Sequence, residues 1–193
     1  MLAPMRIVVS GTHASGKSTL IADFASRHPE FTVLPDPFEL VEASYDEPEA
    51  GVFWQQLRIA ATRLEELEEG TDVIAERGPL DFLAYLTALE TLGRPGRSAA
   101  ATRRGYAVTA AAMADVDLLV LLPLSARNPI AVPDDEDPEL REATDEALLE
   151  LSDDPDLVGA ATVVEVVGGP EERVAAVERA VGAAERGASS MPG

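Results

Sequence analysis

An α/β domain, with a five-stranded parallel sheet and helices on both faces, is the fold this sequence predicts, and three observations point to it. Five short apolar runs, each read as a buried strand, lie at residues 5–10 (MRIVVS), 31–34 (FTVL), 72–75 (DVIA), 117–122 (DLLVLL) and 162–167 (TVVEVV). Segments with apolar residues at helical spacing separate them, and such alternation builds a parallel sheet that helices must cover. A glycine-framed loop, GTHASGKS at residues 11–18, joins the first run to the first helical segment.

That loop matches the pattern GxxxxGK[ST], which has a stereochemical basis. Gly11 and Gly16 let the chain turn tightly enough for successive amide N–H groups to converge on phosphate oxygens. Lys17 is the only lysine in a chain with fourteen arginines. Its flexible ammonium suits a point contact with the β- and γ-phosphates, which a planar guanidinium suits less well. The Ser18 hydroxyl is of the type that ligates Mg²⁺. In KSTLIADFASR, residues 17–27, Leu20, Ile21 and Phe24 fall at helical spacing, so the positive end of this helix points at the bound anion. Strand, loop and helix in this order predict a P-loop NTPase three-layer fold. Gly11, Thr12, His13, Ala14, Ser15, Gly16, Lys17, Ser18 and Thr19 are expected to bind ATP with Mg²⁺.

After the second run, in LPDPFELVE, Pro35 and Pro37 restrict the backbone around Asp36, and Glu39 is a second carboxylate in the same turn. Helical periodicity returns in FWQQLRIAATRLEEL, beginning near Phe53, where Phe53, Leu57, Ala60, Leu64 and Leu67 form one apolar stripe. At ~100° per residue, Gln56 and Arg63 fall within roughly 20° of each other on its flank, while Arg58 points away. A Gln side chain offers one acceptor and two donors and can read an amide-like edge. The third run leads into ERGPLDFLAYL, residues 76–86. Ligands in open α/β sheets sit beyond the carboxyl ends of the strands, so Glu76 and Arg77 are expected in the same crevice as Lys17. There a carboxylate can orient Mg²⁺ and an arginine can pair with phosphate or a substrate hydroxyl.

Two stretches read as long irregular loops: LGRPGRSAAATRRG at 92–105 and PLSARNPIAVPDDEDP at 123–138. Both suit mobile covers in a phosphotransferase. Residues 134–156 carry twelve Asp and Glu against one arginine, Arg141, and read as a solvated, mobile face without metal-ligand spacing. Gly168, Gly169 and Pro170 turn the fifth run into a last helix, expected to reach residue 186, with 187–193 a disordered tail.

The phosphate loop together with Glu76 and Arg77 resembles the P-loop kinases of nucleosides and nucleotides: deoxynucleoside kinases, thymidylate kinase and the ribosylnicotinamide kinase-type AAA proteins. The resemblance covers the layout of residues 5–186. It implies a single domain, 1–186, with a lid at about 123–150. By resemblance, Asp36 takes the place of the carboxylate that accepts the proton of the attacking hydroxyl, where deoxynucleoside kinases favour Glu, and Glu39 is the alternative. The helix with Gln56 and Arg63 is similar to their substrate-binding helix, in which Gln pairs with the base edge and Arg assists near the catalytic acid. The resemblance further implies that Ser18 and Glu76 serve the metal and that Lys17, Asp36 and Arg77 carry the chemistry. Arg127 becomes the lid arginine beside the nucleotide, with Arg141 following, and Arg94, Arg97, Arg103 and Arg104 are candidates for additional positive charge over the site.

The implied activity is transfer of the γ-phosphate of ATP to a hydroxyl or phosphate of a small nucleoside-like or nucleotide-like acceptor. The alternative is a regulatory or switch-type ATPase or GTPase acting on a protein partner. A switch needs a water-positioning residue and usually a strand ending in an acid, whereas the fourth run ends in Leu122 and Pro123.

Composition narrows the classes further. At 193 residues one core is expected rather than two. The absence of cysteine excludes a disulfide framework, and two isolated histidines argue against a zinc site. A net charge of −20 argues against nucleic acid as a partner, although a local focus of positive charge can still hold a small anion. No run reaches membrane-span length and no signal-peptide core follows MLAPMR, so no membrane association and a cytoplasmic location are expected. A homodimer is compatible with everything above.

Overall fold

The computed structural model describes residues 4–40, 50–68, 70–94, 98–124 and 137–189. The five apolar runs form strands β1 (Arg6–Ser10), β2 (Thr32–Leu34), β3 (Val73–Glu76), β4 (Leu118–Leu121) and β5 (Thr162–Glu165). All pair in parallel, in the order β2-β3-β1-β4-β5. The order puts β1 at the centre, so the loop that follows it leaves from the middle of the carboxyl edge. Register then fixes its neighbours. Val9 lies opposite Glu76, and Leu34 opposite Ala75, so the segments after β1, β2 and β3 leave the sheet at nearly the same level.

Helices α1 (Lys17–Arg27), α2 (Ala50–Glu65), α3 (Pro79–Thr91), α4 (Ser98–Met113), α5 (Pro138–Ser152), α6 (Pro155–Val158) and α7 (Pro170–Ser189) cover the sheet. Strand alternation sorts the core into two layers. Ile7, Val9, Ile74, Leu118 and Val120 meet Leu20, Ile21 and Phe24 of α1 and Val174, Val177 and Val181 of α7. On the other face, Val8, Ala75, Leu119 and Leu121 meet α2 to α6, including Leu57, Phe82, Leu86 and Leu148. No described helix is long and apolar enough to cross a membrane.

Several expectations are corrected. Five buried strands are expected, yet β2 and β5 are edges: Val33 and Val163 remain 40% and 36% exposed, since each strand has a neighbour on one side only. The stretch at 92–105 is not a continuous loop, because α4 begins at Ser98. Its run of alanines is strongly helix-forming, and Gly105, the end of the stretch, lies where α4 packs against α2 and α3. A Cβ there would lie 3.0 Å from a methyl of Leu57 and 3.1 Å from one of Leu83.

The acidic run, over its described part, keeps most of its acids on a solvated face but is built as helices with a buried apolar side rather than as a mobile stretch. Residues 138–152 and 155–158 are helical, and Leu140, Leu148, Leu157 and Val158 are buried against α3 and α4. Charge predominates in the composition, but the apolar positions recur at helical spacing and decide the outcome. Helix α2 starts at Ala50, earlier than Phe53, and α7 continues past 186 to Ser189. Arg97, Arg127 and residues 190–193 lie outside the described residues.

Candidate active site

The phosphate loop arches between β1 and α1, and its shape follows from its two framing glycines. A Cβ on Gly11 would sit 2.6 Å from Ser15 Oγ and 2.9 Å from the Leu122 carbonyl, so only glycine fits there. Gly16, the N-cap of α1, has φ 93°, in the left-handed region. No side chain caps α1 and its first turn holds no acid, which leaves its amide groups for an anion. Thr12, Ser15 and Lys17 are buried, and Lys17 Nζ donates to the Thr12 carbonyl at 2.7 Å and to Ser15 Oγ at 3.5 Å. Burial, with Arg77 adding to it, lowers the Lys17 pKa to about 7, against the opposing pull of Asp81, Glu76 and Asp36.

The adjacent strand ends bring the other candidates in. Ser18 Oγ donates to Glu76 Oε1 at 2.8 Å, so the two residues expected at the metal are already paired. Burial pushes the Glu76 carboxyl up, while the Ser18 hydrogen bond and Lys17 hold it down. Arg77 is buried with φ 62°, a conformation that costs a non-glycine residue about 1–2 kcal/mol. Its guanidinium is held on three sides. Nε donates to Asp36 Oδ2 at 2.8 Å, Nη1 to Tyr85 Oη at 3.3 Å, and the group stands 5.5 Å from the ring centres of Phe38 and Tyr85. Asp36 Oδ1 accepts from the Phe38 amide at 3.0 Å, so both carboxylate oxygens are oriented.

Helix α2 contributes unequally. Arg63 Nη1 donates to the Pro35 carbonyl at 2.7 Å, which places it beside Asp36. Gln56, on the same helix flank, is buried, and among the described residues its Oε1 has no hydrogen-bond partner. Phe53 stacks on Tyr85 with ring centres 4.4 Å apart and planes 4° apart. Phe38 meets Phe53 and Phe82 at 6.2 and 5.5 Å. An aromatic wall therefore flanks the Asp36–Arg77 pair. The side chain of Glu39, the second carboxylate of that turn, lies outside the described residues.

Arginines expected over the site are engaged elsewhere. Arg94 bonds Asp137, the N-cap of α5, and reaches Glu139 at 3.3 Å, while Arg104 stands 5.0 Å over the Trp54 ring and Arg103 is exposed. Arg141 instead touches the phosphate loop, donating to the His13 carbonyl at 3.0 Å.

Asp81 is one residue that sequence reasoning missed, and Arg173, which donates to the Ser15 carbonyl at 2.8 Å, is another. Fully buried on α3, Asp81 accepts from Ser10 Oγ at 2.7 Å and from the Gly11 and Gly78 amides at 2.9 Å each. It thereby ties the start of the phosphate loop to the corner that carries Arg77. Burial pushes its carboxyl up, opposed by Arg77, Ser10, Gly11 and Lys17. The only sequence signal for Asp81 was an acid in the first turn of α3, the ordinary place for one.

A family model described as an AAA domain matches residues 6–173. The chain belongs to the AAA domain family. No curated protein matches it. Among solved structures, this AAA domain is similar to thymidylate kinase from Candida albicans, with a TM-score of 0.67 at 13% identity over 95% of this chain and 93% of that one. Deoxyadenosine kinase from M. mycoides with bound dATP gives 0.67 at 15% identity over 92% and 100%. Thymidylate kinase from Ehrlichia chaffeensis gives 0.59 at 13% over 93% and 99%. The AAA domain thus has the three-layer P-loop fold of these kinases.

Proposed function

We propose that this AAA domain transfers the γ-phosphate of ATP to a small acceptor, nucleoside-like or nucleotide-like in chemistry. The observation that carries the reading is the convergence on Arg77: one guanidinium orients Asp36, borders the aromatic wall and neighbours Lys17. Phosphoryl transfer is mainly positioning and charge neutralisation, and the departure of the segments carrying Lys17, Glu76, Arg77 and Asp36 from one edge of the sheet supports this reading. Lys17 and the free amides of α1 bind the β- and γ-phosphates. Asp36 accepts the proton of the attacking hydroxyl, and Arg77 stabilises charge on the transferring group. Phe38, Phe53 and Tyr85 offer a flat apolar surface to a ring, and Gln56 Oε1 awaits a donor on its edge.

Ser18 and Glu76 fit a hard cation, since both present oxygen and already meet at 2.8 Å. Among the described residues no cluster of three His, Cys, Asp or Glu could hold a metal alone, so the remaining ligands must come from phosphate and water. Ser18 and Glu76 would hold Mg²⁺ there, and the ion would supply neutralisation of phosphate charge. Likeness in fold to thymidylate kinase and deoxyadenosine kinase supports this acceptor class. The lack of an acid after β4, which continues as Leu122 and Pro123, disfavours a hydrolytic switch.

The test is Asp36→Asn. Asn keeps one acceptor oxygen, which can serve Arg77 or the Phe38 amide but not both, so melting should fall modestly while ATP affinity stays near wild type and transfer falls by about 10²-fold or more. If Glu39→Gln gives that loss and Asp36→Asn does not, the base is Glu39.

A further inference from the structure

Four successive carbonyls of the phosphate loop, Thr12 to Ser15, each accept a hydrogen bond from a cationic side chain. Lys17 serves Thr12 at 2.7 Å. Arg141 of α5 serves His13 through Nε at 3.0 Å and Ala14 through Nη2 at 3.4 Å. Arg173 of α7 serves Ser15 through Nη1 at 2.8 Å, and its Nε reaches the Gly168 carbonyl at 2.9 Å. We infer that Arg141 and Arg173 are positioning residues, which hold the phosphate loop in its anion-binding shape from the outer side and act on its carbonyls rather than on the nucleotide.

The reason lies in the peptide plane. C=O and N–H of a trans peptide point in opposite directions, so fixing the carbonyls of His13, Ala14 and Ser15 outward fixes the amides of Ala14, Ser15 and Gly16 inward. Ala14 needs such support, because its φ of 51° is unfavourable for a residue with a side chain. Both arms are rigidly mounted. The start of α5 is tied by Arg94 to Asp137 and Glu139, and α7 is anchored by buried Val174, Val177 and Val181. Arg173 is itself buried, and among the described residues neither it nor Arg141 has a carboxylate within ion-pair distance. Arg141 also holds the Asp145 carboxyl down from one turn along α5, but the hydrogen bonds of both guanidiniums go to loop carbonyls and to Gly168, in a chain whose net charge is −20.

This inference rests on residues 11–18 binding triphosphate. Arg141→Gln, Arg173→Gln and Arg173→Lys are compared with wild type by calorimetric titration with ATP and with inorganic tripolyphosphate, both with Mg²⁺, alongside thermal melting. Each Gln variant should remain folded at the titration temperature and bind both ligands more weakly, by the same factor of about ten. Arg173→Lys should be as weak as Arg173→Gln, because one ammonium lacks the fork that spans Ser15 and Gly168. Wild-type affinity in the Gln variants, or recovery by lysine, overturns the inference. So does a fall in turnover at saturating ATP with both affinities intact in Arg141→Gln, which would put Arg141 on the transferring phosphate. If the Arg173 variants do not fold, the half-buried Arg141 decides. A wild type that binds neither polyphosphate refutes the loop assignment itself, an outcome distinct from variants that match a binding wild type.

Discussion

Lys17 carries a charge that depends on the company it keeps. Its pKa of about 7 lies below the 10.5 of the unfolded chain, so the ligand-free native state holds fewer protons between those values. Its contribution to stability is accordingly least favourable below pH 7 and improves as pH rises through that window. A triphosphate favours the ammonium, so binding above pH 7 takes up a proton and weakens with rising pH, by at most about tenfold per unit. Calorimetry at about pH 8.5 in two buffers of different ionisation enthalpy should register that uptake. Affinity that stays flat from about pH 7 to 9 would contradict it. Residues of this loop were legible because the motif is local, all within GTHASGKS. Asp81 and Arg173 were not, because each reaches the loop across the chain, from 70 and 158 residues away. Nothing in a neighbouring residue announces such a contact.

At the scale of elements, the strands were readable from apolar runs, and α4 was not, since alanine and arginine mixed with glycine resemble a loop until packing is known. Gly105 shows the missing term. Gly105→Val should destabilise the protein by about 1–3 kcal/mol in urea unfolding, because its side chain would press on Leu57 and Leu83. A variant as stable as wild type would mean that α4 can shift outward freely. Helix α2 offers a different test. Gln56 Oε1, without a partner among the described residues, is a cost in the ligand-free protein, and on the proposed reading it is a contact for an acceptor. Gln56→Leu should therefore melt no lower than wild type, while kcat/KM for the acceptor falls by about ten- to a hundredfold and ATP affinity holds. Equal loss for both ligands would indicate a folding defect, and no loss for either would remove α2 from the acceptor site.

For the whole molecule, strand order turns separate sequence segments into one site. With β1 central, β3 beside it and β2 beyond, the loop, Glu76–Arg77 and Asp36 leave the same edge of the sheet. Alternation of strands and helices predicted the parallel sheet, but it could not say which helices would brace the loop, since that depends on where α3, α5 and α7 dock. The chain is strongly acidic, and Arg141 and Arg173 set positive charge at the phosphate loop within that field. The most direct measurement is a product-resolved assay with ATP and Mg²⁺ against a panel of nucleosides, nucleotides and sugars, in which phosphorylated acceptor and free phosphate are quantified together. A phosphorylated nucleoside-like or nucleotide-like product, formed in step with ADP and lost in Asp36→Asn, is the predicted result; ADP and free phosphate released at the same rate with every acceptor, and with none, would contradict it.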